Sequence, residues 1–600
     1  MCGIAGVLAA RPYSRSNSDS EAARLVSLIR NRGPDGEGAQ LAVGRRVCFV
    51  HSRLAIIDPG KRSDQPLVDE ETGAFITYNG EIYNFRTLRR ELKSAGDSLK
   101  TQSDTEVILK GYLRYGCSFF NRLRGMYAFA IFDPSRDEVV AVRDALGIKP
   151  LYLNISPSEV RFGSTPLAAA SAAPALEPAA AISLAVLGSV IEPLSPFVGV
   201  HQAPPGSISI FRLRPDRIET TKTTIEPAFE WRGPSADRSL APLELAISDT
   251  VEAHFTSDVP VGVFQSAGLD STIISSLARS GGRDPTLLTI GFEHFRGSQD
   301  DEVPGAAETA ARLGLQHRYQ YIADDELTED AAAFLGAMQS PSADGFNVYL
   351  AARLCRQEGL KVALSGAGGD ELLAGYPSFF QLPNLNALGF VARSRFGRSM
   401  IDAGLNLVSR VEPHRSPKLR YFSNYLADWR RRYLLRRAYF APEELPQILH
   451  GEVIRDGYDT FWTAFEAQSE RSHTQDAAGV RALEMDVYLR NTLLRDADWT
   501  GMAHGVEIRT PLVDLPLIRS LCDQGLHCPY KKDDLRILLN RLSPQARIRP
   551  REKSGFMVPH PLTMVGLPGS PPGTGPRGLR AWNRRVLAHW FPDWVMPQIH

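Results

Sequence analysis

Apolar residues in the first quarter of the chain come in short runs separated by polar or turn-forming residues. Three runs rich in β-branched and aromatic residues have the length and boundaries of strands; they are Val47–Val50, Ala74–Tyr78 and Val139–Val142. Two other segments repeat apolar residues at helical spacing, which predicts helices at Glu21–Arg30 and Leu88–Ala95. Residues 1–165 therefore have the pattern of an α+β domain.

The pattern changes after about residue 242. A buried run, Val259–Phe264, is followed by a turn of small residues, Ser266–Ser271, and by a helical segment, Thr272–Ala278. Two more apolar runs, Leu287–Phe292 and Val362–Ser365, lack polar alternation. Strands of a parallel sheet have this property because both of their faces are buried. The second half is therefore predicted to be an α/β domain.

The rest of the chain divides into a linker, a helical region and a tail. Residues 384–490 are mostly helical in pattern, and the basic face of Leu426–Tyr439 is expected to be solvated. Gly566–Gly578 is rich in Gly and Pro and is expected to be poorly ordered. We place the first domain at 2–215, with its last part a linker, the second at 240–565 and the tail at 566–600.

Composition narrows the class of protein. A chain of 600 residues is too long for one core. Its 68 basic and 68 acidic residues balance, so bulk charge does not suggest a nucleic-acid partner. The six cysteines include no CxxC pair, which favours a reduced, cytoplasmic location. We see no signal peptide and no apolar run long enough to span a bilayer, so membrane insertion is not expected.

Cys2 directly follows the initiator Met1. Removal of Met1 would leave a thiol and a free α-amine on one residue. The amine has an ordinary pKa of about 7.7–8.0, so part of it is a neutral base that can take the proton of the thiol. The alternative is a small buried cysteine at the start of a strand.

Polar clusters on predicted loops could serve a nucleophile at Cys2. Arg53 follows a strand and could hold a carboxylate, while Asp104 could hold an ammonium group. Asn79 offers amide donors, and Gly80 leaves its backbone N–H accessible, as an oxyanion hole requires. Taken singly, such residues are more often turns, caps or surface ion pairs.

The turn at Ser266–Ser271 lies between a strand and a helix. Its small residues, its hydroxyls and the helix N-terminus could surround a phosphate. Asp270 would repel bare phosphate, which implies a metal ion between them. A second turn, Ser365–Glu371, also pairs glycines with an acid, Asp370. The two turns suggest one Mg²⁺–nucleotide site at the carboxyl edge of the sheet, although an ordinary strand–turn–helix unit remains an alternative.

The N-terminal half resembles the class II glutamine amidotransferases. The matching strings are Cys2–Ile4, Arg32–Asp35, Asn79–Asn84 and Leu123–Phe129. The resemblance implies a four-layer αββα fold of the N-terminal-nucleophile hydrolases, in which Cys2 attacks glutamine and Asn79 and Gly80 form the oxyanion hole. It also implies that Arg53, Asn79, Glu81 and Asp104 bind glutamine. Asn31 departs from the family, which usually has His at this position.

The C-terminal half resembles the synthetase domain of glutamine-hydrolysing asparagine synthetases, an ATP-pyrophosphatase fold with helical additions. Matching strings include Ser365–Tyr376, Met502–Asp514 and Lys553–Phe556. The resemblance implies that Asp270 and Asp370 bind Mg²⁺. It also implies an ATP site formed by Phe264, Ser266, Gly268, Asp270, Ser271, Ile290, Ser365, Gly366 and Lys553.

Three features of this half depart from the family's pattern, and one of them is Arg495–Asp498, which differs from the usual Lys-containing string. Ala267 replaces a glycine near the phosphates, and Ala367 replaces a glutamate tied to aspartyl-adenylate formation and amide transfer. Acceptance of aspartate is therefore in question. Glu507 and Arg509 are interpreted as an ordinary structural ion pair.

The two resemblances together imply a glutamine-dependent ligase that forms AMP and pyrophosphate. Its cofactors would be ATP and Mg²⁺, and its default acceptor aspartate, giving asparagine. The alternatives are a family member that amidates another carboxylate, a glutaminase with an inactive second half, and a sensor without turnover. Because both sites lie on one chain, we expect ammonia to pass between them through a tunnel. The sequence does not determine the oligomeric state, and a homodimer is one of the candidates.

Overall fold

The computed structural model describes residues 2–44, 46–225, 240–411, 417–470, 472–523, 530–544 and 576–597. The first domain contains two six-stranded antiparallel sheets, with the orders β10-β8-β9-β1-β3-β2 and β12-β11-β7-β6-β5-β4. The strands are β1 Gly3–Ala9, β2 Gly36–Ala42, β3 Val47–Arg53, β4 Leu67–Val68, β5 Phe75–Ile82, β6 Gly125–Asp133, β7 Glu138–Arg143, β8 Tyr152–Ile155, β9 Glu159–Gly163, β10 Val200–Gln202, β11 Ser207–Leu213 and β12 Ile218–Thr224.

The two sheets pack face to face around an aromatic core. Phe49 from β3 makes edge-to-face contacts with Phe75 of β5 and Phe162 of β9, with ring centroids 5.0 Å apart in both pairs. Helices cover the outer faces: α1 packs on β1 and β3, and α3 packs on β5. This order of layers confirms the predicted αββα fold. The helices of this domain are α1 Arg15–Ile29, α2 Phe85–Ser94, α3 Asp104–Tyr115, α4 Pro166–Ala169 and α5 Pro178–Leu187.

The second domain is built on a five-stranded parallel sheet of order β15-β14-β13-β16-β17. Leu287 and Leu288, neighbours on β14, belong to cores on opposite faces of the sheet. Burial on both faces explains the uninterrupted apolar runs of its sequence. The strands are β13 Val261–Phe264, β14 Thr286–Phe292, β15 His317–Ile322, β16 Val362–Leu364 and β17 Glu507–Arg509.

Helices surround this sheet and extend beyond it, as predicted for an α/β domain with helical additions. Those nearest the sheet are α6 Ala241–His254, α7 Leu269–Ser280, α8 Val303–Leu313, α9 Glu326–Ala337, α10 Phe346–Gln357 and α11 Gly369–Leu372. The later ones are α12 Ser378–Asn384, α13 Asn386–Val391, α14 Arg395–Val411, α15 Phe422–Leu426, α16 Trp429–Arg437, α17 Gly451–Ser469, α18 Ala477–Leu483, a π-helix Glu484–Leu494, α19 Arg495–Ala503, α20 Leu515–Asp523, α21 Lys532–Leu542 and α22 Pro576–Trp590.

Short 3₁₀ helices connect several of these elements. They are Arg30–Arg32, Lys61–Ser63, Gly116–Arg122, Glu293–Phe295, Pro417–Tyr421, Pro442–Gln447 and Pro592–Trp594.

Two expectations about the helical region need comment. The basic face of α16 is not fully solvated, because Arg432 is buried and Arg437 is half-buried against Glu484. That expectation was wrong because the π-helix packs against α16 and supplies Glu484. In the C-terminal stretch, Trp582 of α22 and Phe591, which follows this helix, are buried in the core of the second domain, whereas residues 566–575 lie outside the described part of the chain.

The described helices include none that is both long enough and apolar enough to cross a membrane.

Candidate active site

Cys2 lies immediately before β1, in the interior of the first domain. Its backbone N–H donates to Oδ1 of Asn79 at 2.9 Å, and its Sγ lies 3.9 Å from the carbonyl oxygen of Leu54. The side chain is almost completely buried. Burial raises the pKa of the Cys2 thiol, so the thiol needs a base to ionise at neutral pH.

Asn79 and Gly80 lie on β5, beside Cys2. Because Oδ1 of Asn79 accepts from Cys2, the side-chain amide is oriented, and its buried Nδ2 finds no acceptor among the described residues. A Cβ on Gly80 would lie 2.1 Å from the carbonyl oxygen of Met126 and 2.7 Å from Cα of Tyr127, so only glycine fits. An unpaired buried donor next to a thiol is able to stabilise an oxyanion.

The predicted glutamine-binding residues converge on the same point. Arg53, Gly80, Glu81 and Asp104 line a cavity of about 30 Å³ together with Cys2. The five residues come from the chain start, the end of β3, the end of β5 and the first turn of α3. The strings that were singled out along the sequence are therefore neighbours in space.

The two charged ends of this cavity differ in how their groups are held. Arg53 donates from Nη1 to Asp64 at 2.8 Å and from Nη2 to the carbonyl of Asp58 at 2.6 Å, which fixes the guanidinium. Asp104 accepts from the hydroxyl of Tyr78 at 2.8 Å and from the N–H of Ile82 at 3.1 Å. Burial outweighs these hydrogen bonds and raises the pKa of Asp104 to about 6.

The second domain contributes to this cavity through β17. Arg509 is fully buried; its Nη2 donates to Glu81 at 2.9 Å and its Nε donates to Glu507 at 2.6 Å. Glu507 itself lines the cavity with Cys2. Although burial opposes it, the charges of the amino terminus and of Arg509 lower the pKa of Glu507 to about 2.

The predicted Glu507–Arg509 pair is thus present, but it is more than an isolated structural pair. It joins Glu81 of the first domain to a strand of the second. No local pattern indicates this contact, since Glu81 and Arg509 are 428 positions apart in the chain.

Arg32 forms a second buried connection near Cys2. Its Nε donates to the carbonyl oxygen of Cys2 at 3.2 Å, and its Nη2 donates to Asp498 of α19 at 2.7 Å. Its Nη1 donates to Gln339 at 2.7 Å. Asn31, the departure from the family pattern, is exposed beside it. The region around the nucleophile is therefore tied to the second domain by two buried arginines, Arg32 and Arg509.

The Ser266–Ser271 turn connects β13 to α7, as predicted. The hydroxyls of Ser266 and Ser271 lie 3.0 Å apart, and the N–H of Gly268 donates to Oγ of Ser266 at 3.0 Å. The N–H of Ala267 donates to the carboxylate of Glu302 at 2.6 Å. A carboxylate oxygen on this N–H occupies the kind of position that a phosphate oxygen would take, so the turn can bind an anion.

Asp270 and Asp370, the two predicted metal ligands, face each other across the carboxyl edge of the sheet. The ammonium group of Lys532 bridges them, lying 2.7 Å from Oδ1 of Asp370 and in contact with both carboxylate oxygens of Asp270. A Cβ on Gly369 would lie 2.4 Å from Oδ1 of Asp270, so glycine permits this close approach. The pair already holds one cation between two hard oxygen donors, which is the donor set that Mg²⁺ prefers.

Four further predicted ATP-site residues lie on, or directly after, neighbouring strands of the same sheet. Phe264 ends β13, Ile290 is buried in β14, and the N–H of Ser365 donates to the carbonyl of Arg509 at 2.8 Å. A Cβ on Gly366 would lie 2.8 Å from Cβ of Asp270. Lys553 lies outside the described residues.

Sequence reasoning missed two groups at this site. Lys532 begins α21 and carries no local pattern that distinguishes it from an exposed lysine. Glu371 follows Asp370, is buried, and accepts from the hydroxyl of Tyr376 at 2.5 Å. Burial raises the pKa of Glu371 to about 7. Within the described residues, no group of three or more His, Cys, Asp or Glu side chains is arranged to hold a metal.

Comparison with known proteins agrees with both halves. The glutamine amidotransferase domain family matches residues 1–222, and the asparagine synthase family matches residues 243–566. Asparagine synthetase [glutamine-hydrolyzing] 1 of Bacillus subtilis is 30% identical over 571 residues, covering 93% of this chain and 87% of that protein.

Two further proteins are similar to this chain. A putative asparagine synthetase [glutamine-hydrolyzing] of Mycobacterium bovis is 29% identical over 602 residues, covering 93% of this chain and 88% of that protein. The solved glutamine phosphoribosylpyrophosphate amidotransferase from B. subtilis has a TM-score of 0.27 and 15% identity, over 53% of this chain and 65% of that one. From the family matches and the B. subtilis relative, this chain is a member of the glutamine-hydrolysing asparagine synthetase family of ligases, which join a glutamine amidotransferase domain to an ATP-using synthetase domain.

Proposed function

We propose that this chain converts a carboxylate into an amide, using glutamine as the nitrogen donor and ATP as the activating agent. The observation that carries the proposal is the presence of two sites on one chain. One is the cavity with Cys2, Gly80 and Asp104, and the other is the Ser266–Ser271 turn with Asp270 and Asp370. A protein with only one of these two activities would not need the other site.

In the first domain, removal of Met1 would expose the α-amine of Cys2, which takes the thiol proton. The thiolate then attacks the side-chain carbonyl of glutamine, and the developing oxyanion accepts from Nδ2 of Asn79 and the N–H of Gly80. Ammonia leaves with a proton returned from the amine, and water hydrolyses the thioester to glutamate. Arg53 would hold the carboxylate of glutamine, and Glu81 and Asp104 its ammonium group.

In the second domain, an oxygen of the acceptor carboxylate attacks the α-phosphorus of ATP, and pyrophosphate leaves. Ammonia then attacks the acyl carbon, and AMP leaves with the bonding electron pair. Ser266, Gly268 and Ser271 would surround the phosphates, with Phe264, Ile290, Ser365, Gly366 and Lys553 completing the site. Asp270 and Asp370 would hold Mg²⁺, which supplies positive charge beside the phosphates.

Ammonia must reach the acyl-adenylate in its neutral form, since ammonium has no free electron pair. We propose a path through the interior between the domains, where Arg32 and Arg509 join them. Aspartate is the default acceptor, following the names of the curated relatives. Another carboxylate is the second candidate, because Ala367 replaces the family's glutamate.

Two substitutions test the division of labour. Cys2→Ala should abolish AMP formation driven by glutamine, whereas AMP formation driven by ammonium salts should persist. Asp270→Asn should abolish AMP formation from either nitrogen source and leave glutamine hydrolysis in place. Loss of both activities in Cys2→Ala, or unchanged AMP formation in Asp270→Asn, would overturn the two-site assignment.

A further inference from the structure

A large cavity lies in the second domain, away from Cys2. Its volume is about 790 Å³, which is within the range of about 300–1,000 Å³ for sites that hold drug-sized ligands. The end of α5, helices α12 and α16, and the π-helix form its walls. Apolar side chains such as Leu382, Phe422 and Val487 alternate with polar ones, so a ligand with both characters would fit.

The charged side chains that line this cavity are mostly cationic. Asp344 is the single acid among them, against five cations: Lys418, Arg432, Arg436, Arg437 and Arg580. Arg437 pairs with Glu484 at 2.5 Å, and Arg580 pairs with Glu444 at 2.5 Å. These two cations are already neutralised.

The other three cations have no carboxylate partner among the described residues. Lys418 donates to backbone carbonyls at the end of α16, including that of Leu435 at 3.1 Å. Arg432 donates to Oδ1 of Asn386 at 2.9 Å, and its buried Nε has no described acceptor. Arg436 has neither an ion pair nor a side-chain hydrogen bond within the described part of the chain.

Concentrating these cations costs free energy. Burial lowers the pKa of Lys418 to about 8, and burial also lowers the pKa values of Arg432 and Arg436. Positive charge that is partly desolvated and lacks a counter-charge is unfavourable. An anion bound in the cavity would offset this cost more fully than water molecules in the cavity do.

A chain of contacting side chains links one wall of the cavity to the predicted metal-binding loop. The guanidinium of Arg437 lies 3.8 Å from the ring centroid of Tyr488 and 4.7 Å from that of Tyr376. Tyr376 donates to Glu371, which directly follows Asp370. The cavity wall is therefore separated from the metal-binding loop by a single chain of contacting side chains.

The other side of the cavity belongs to the first domain. Ser189, just after α5, and Thr492 of the π-helix both line it, and their hydroxyls lie 2.9 Å apart. The cavity wall thus combines the segment after α5, from the predicted first domain, with the π-helix of the second.

We infer that this cavity binds the carboxylate acceptor, and that the acceptor is an anionic compound larger than aspartate with at least one negative group besides the reacting carboxylate. A phosphorylated sugar acid is an acceptor of this class. The inference rests on the proposed function and names its substrate class. It also accounts for alanine at position 367, because a site for a larger acceptor does not need the contacts that select aspartate.

Equilibrium binding tests the inference without turnover. The full chain would be saturated with Mg²⁺ and a non-hydrolysable ATP analogue, so that the nucleotide site is filled. Glucuronic acid 1-phosphate, glucuronic acid and aspartate would then be titrated calorimetrically. We expect the phosphorylated acid to bind at least about tenfold more tightly than the other two, because a charge-assisted hydrogen bond exceeds the 1.4 kcal/mol that corresponds to tenfold.

Two variants change the charge of the cavity with little effect on packing. Arg436→Gln removes a cation that lines the cavity, and Asn384→Asp adds a nearly isosteric negative charge on the cavity wall. Each should weaken binding of glucuronic acid 1-phosphate about tenfold. Arg455→Gln, which removes an exposed arginine of α17 outside the cavity, is the matched control and should bind as the unmodified chain does.

The outcomes separate this inference from the proposed function. Equal affinity for the three acids, absence of binding by the phosphorylated acid, or full binding by Arg436→Gln and Asn384→Asp would overturn the inference. Pyrophosphate release with aspartate and with no larger acid would support the proposed function and overturn the inference. Binding without any pyrophosphate release would leave the cavity assignment standing and count against the proposed function.

Discussion

Arg509→Met tests whether the second domain sets the charge of the glutamine cavity. Arg509 makes ionic contacts with Glu81 at 2.9 Å and Glu507 at 2.6 Å, and its Nη1 donates to the carbonyl of His254 at 2.8 Å. Methionine has a similar reach without the charge or the donors. The variant therefore leaves two buried carboxylates beside Cys2 without their shared cation.

The expected effects on stability and on glutamine binding are separable. Removing one partner of a buried ion pair costs about 3–5 kcal/mol of unfolding free energy. Burial raises the pKa of Glu81 and Arg509 opposes this, so loss of Arg509 should raise the pKa of Glu81 further and favour its protonated form. A protonated Glu81 loses its charge-assisted bond to the ammonium group of glutamine, worth about 1.5–3 kcal/mol. The KM for glutamine should then rise by about 10- to 100-fold.

Steady-state glutaminase kinetics and ammonium-driven AMP formation, measured on the same preparations, check this expectation. The matched control is Arg124→Met. Arg124 also crosses between the domains, pairing with Asp514 at 2.6 Å and Asp249 at 2.7 Å, but it does not line the glutamine cavity. Both variants should melt at a lower temperature, and Arg509→Met alone should show the raised KM.

Arg509→Lys refines the result, because lysine keeps the charge but not the planar pair of donors. We expect a KM between those of the unmodified chain and Arg509→Met. If Arg509→Met and Arg124→Met lose the same stability and both keep the KM for glutamine, Arg509 has a structural role only, and the reasoning about Glu81 is refuted.

Two further predictions concern the first domain. Glutamine should bind to the Cys2→Ala chain with constant affinity above pH 7 and progressively more weakly below pH 6, because the pKa of Asp104 is about 6 and only its carboxylate holds an ammonium group; a flat calorimetric profile between pH 5 and 7 would contradict this. Gly80→Ala should cost about 1–3 kcal/mol of stability through overpacking and abolish glutamine hydrolysis, since its Cβ would lie 2.1 Å from the carbonyl of Met126. Gly336→Ala, at a helical glycine with open space around it, is the control and should melt at or above the unmodified temperature.

The glutamine cavity could be predicted from the sequence because each of its parts occupies a short string at the end of a regular element. Arg53 ends β3, Glu81 lies near the end of β5, and Asp104 begins α3 behind the N-cap Ser103. Pairing of β1 with β3 places Gly3 opposite Ser52, which brings the end of β3 to Cys2. Local pattern and the known pairing of such a sandwich therefore suffice for these residues.

Contacts between distant segments could not be predicted in this way. Lys532 lies 262 positions from Asp270, and its string resembles any exposed helix start. Arg437 belongs to a strongly basic helix whose pattern is typical of a solvated face, yet Glu484 from the π-helix covers it. In both cases the partner that gives the residue its role comes from another part of the chain.

The strand β17 shows why this matters for function, because within its three residues it reaches both sites. The carbonyl of Arg509 accepts from the N–H of Ser365 at the nucleotide turn, while its side chain holds Glu81 at the glutamine cavity. Glu507, two residues earlier, lines the cavity with Cys2. Any displacement of β17 must therefore alter hydrogen bonds at both sites together, since neither contact can move while the other stays fixed in so short a strand. The Glu507–Arg509 ion pair, interpreted from the sequence as ordinary, therefore links the proposed site of ammonia release to the proposed site of its consumption in the folded chain.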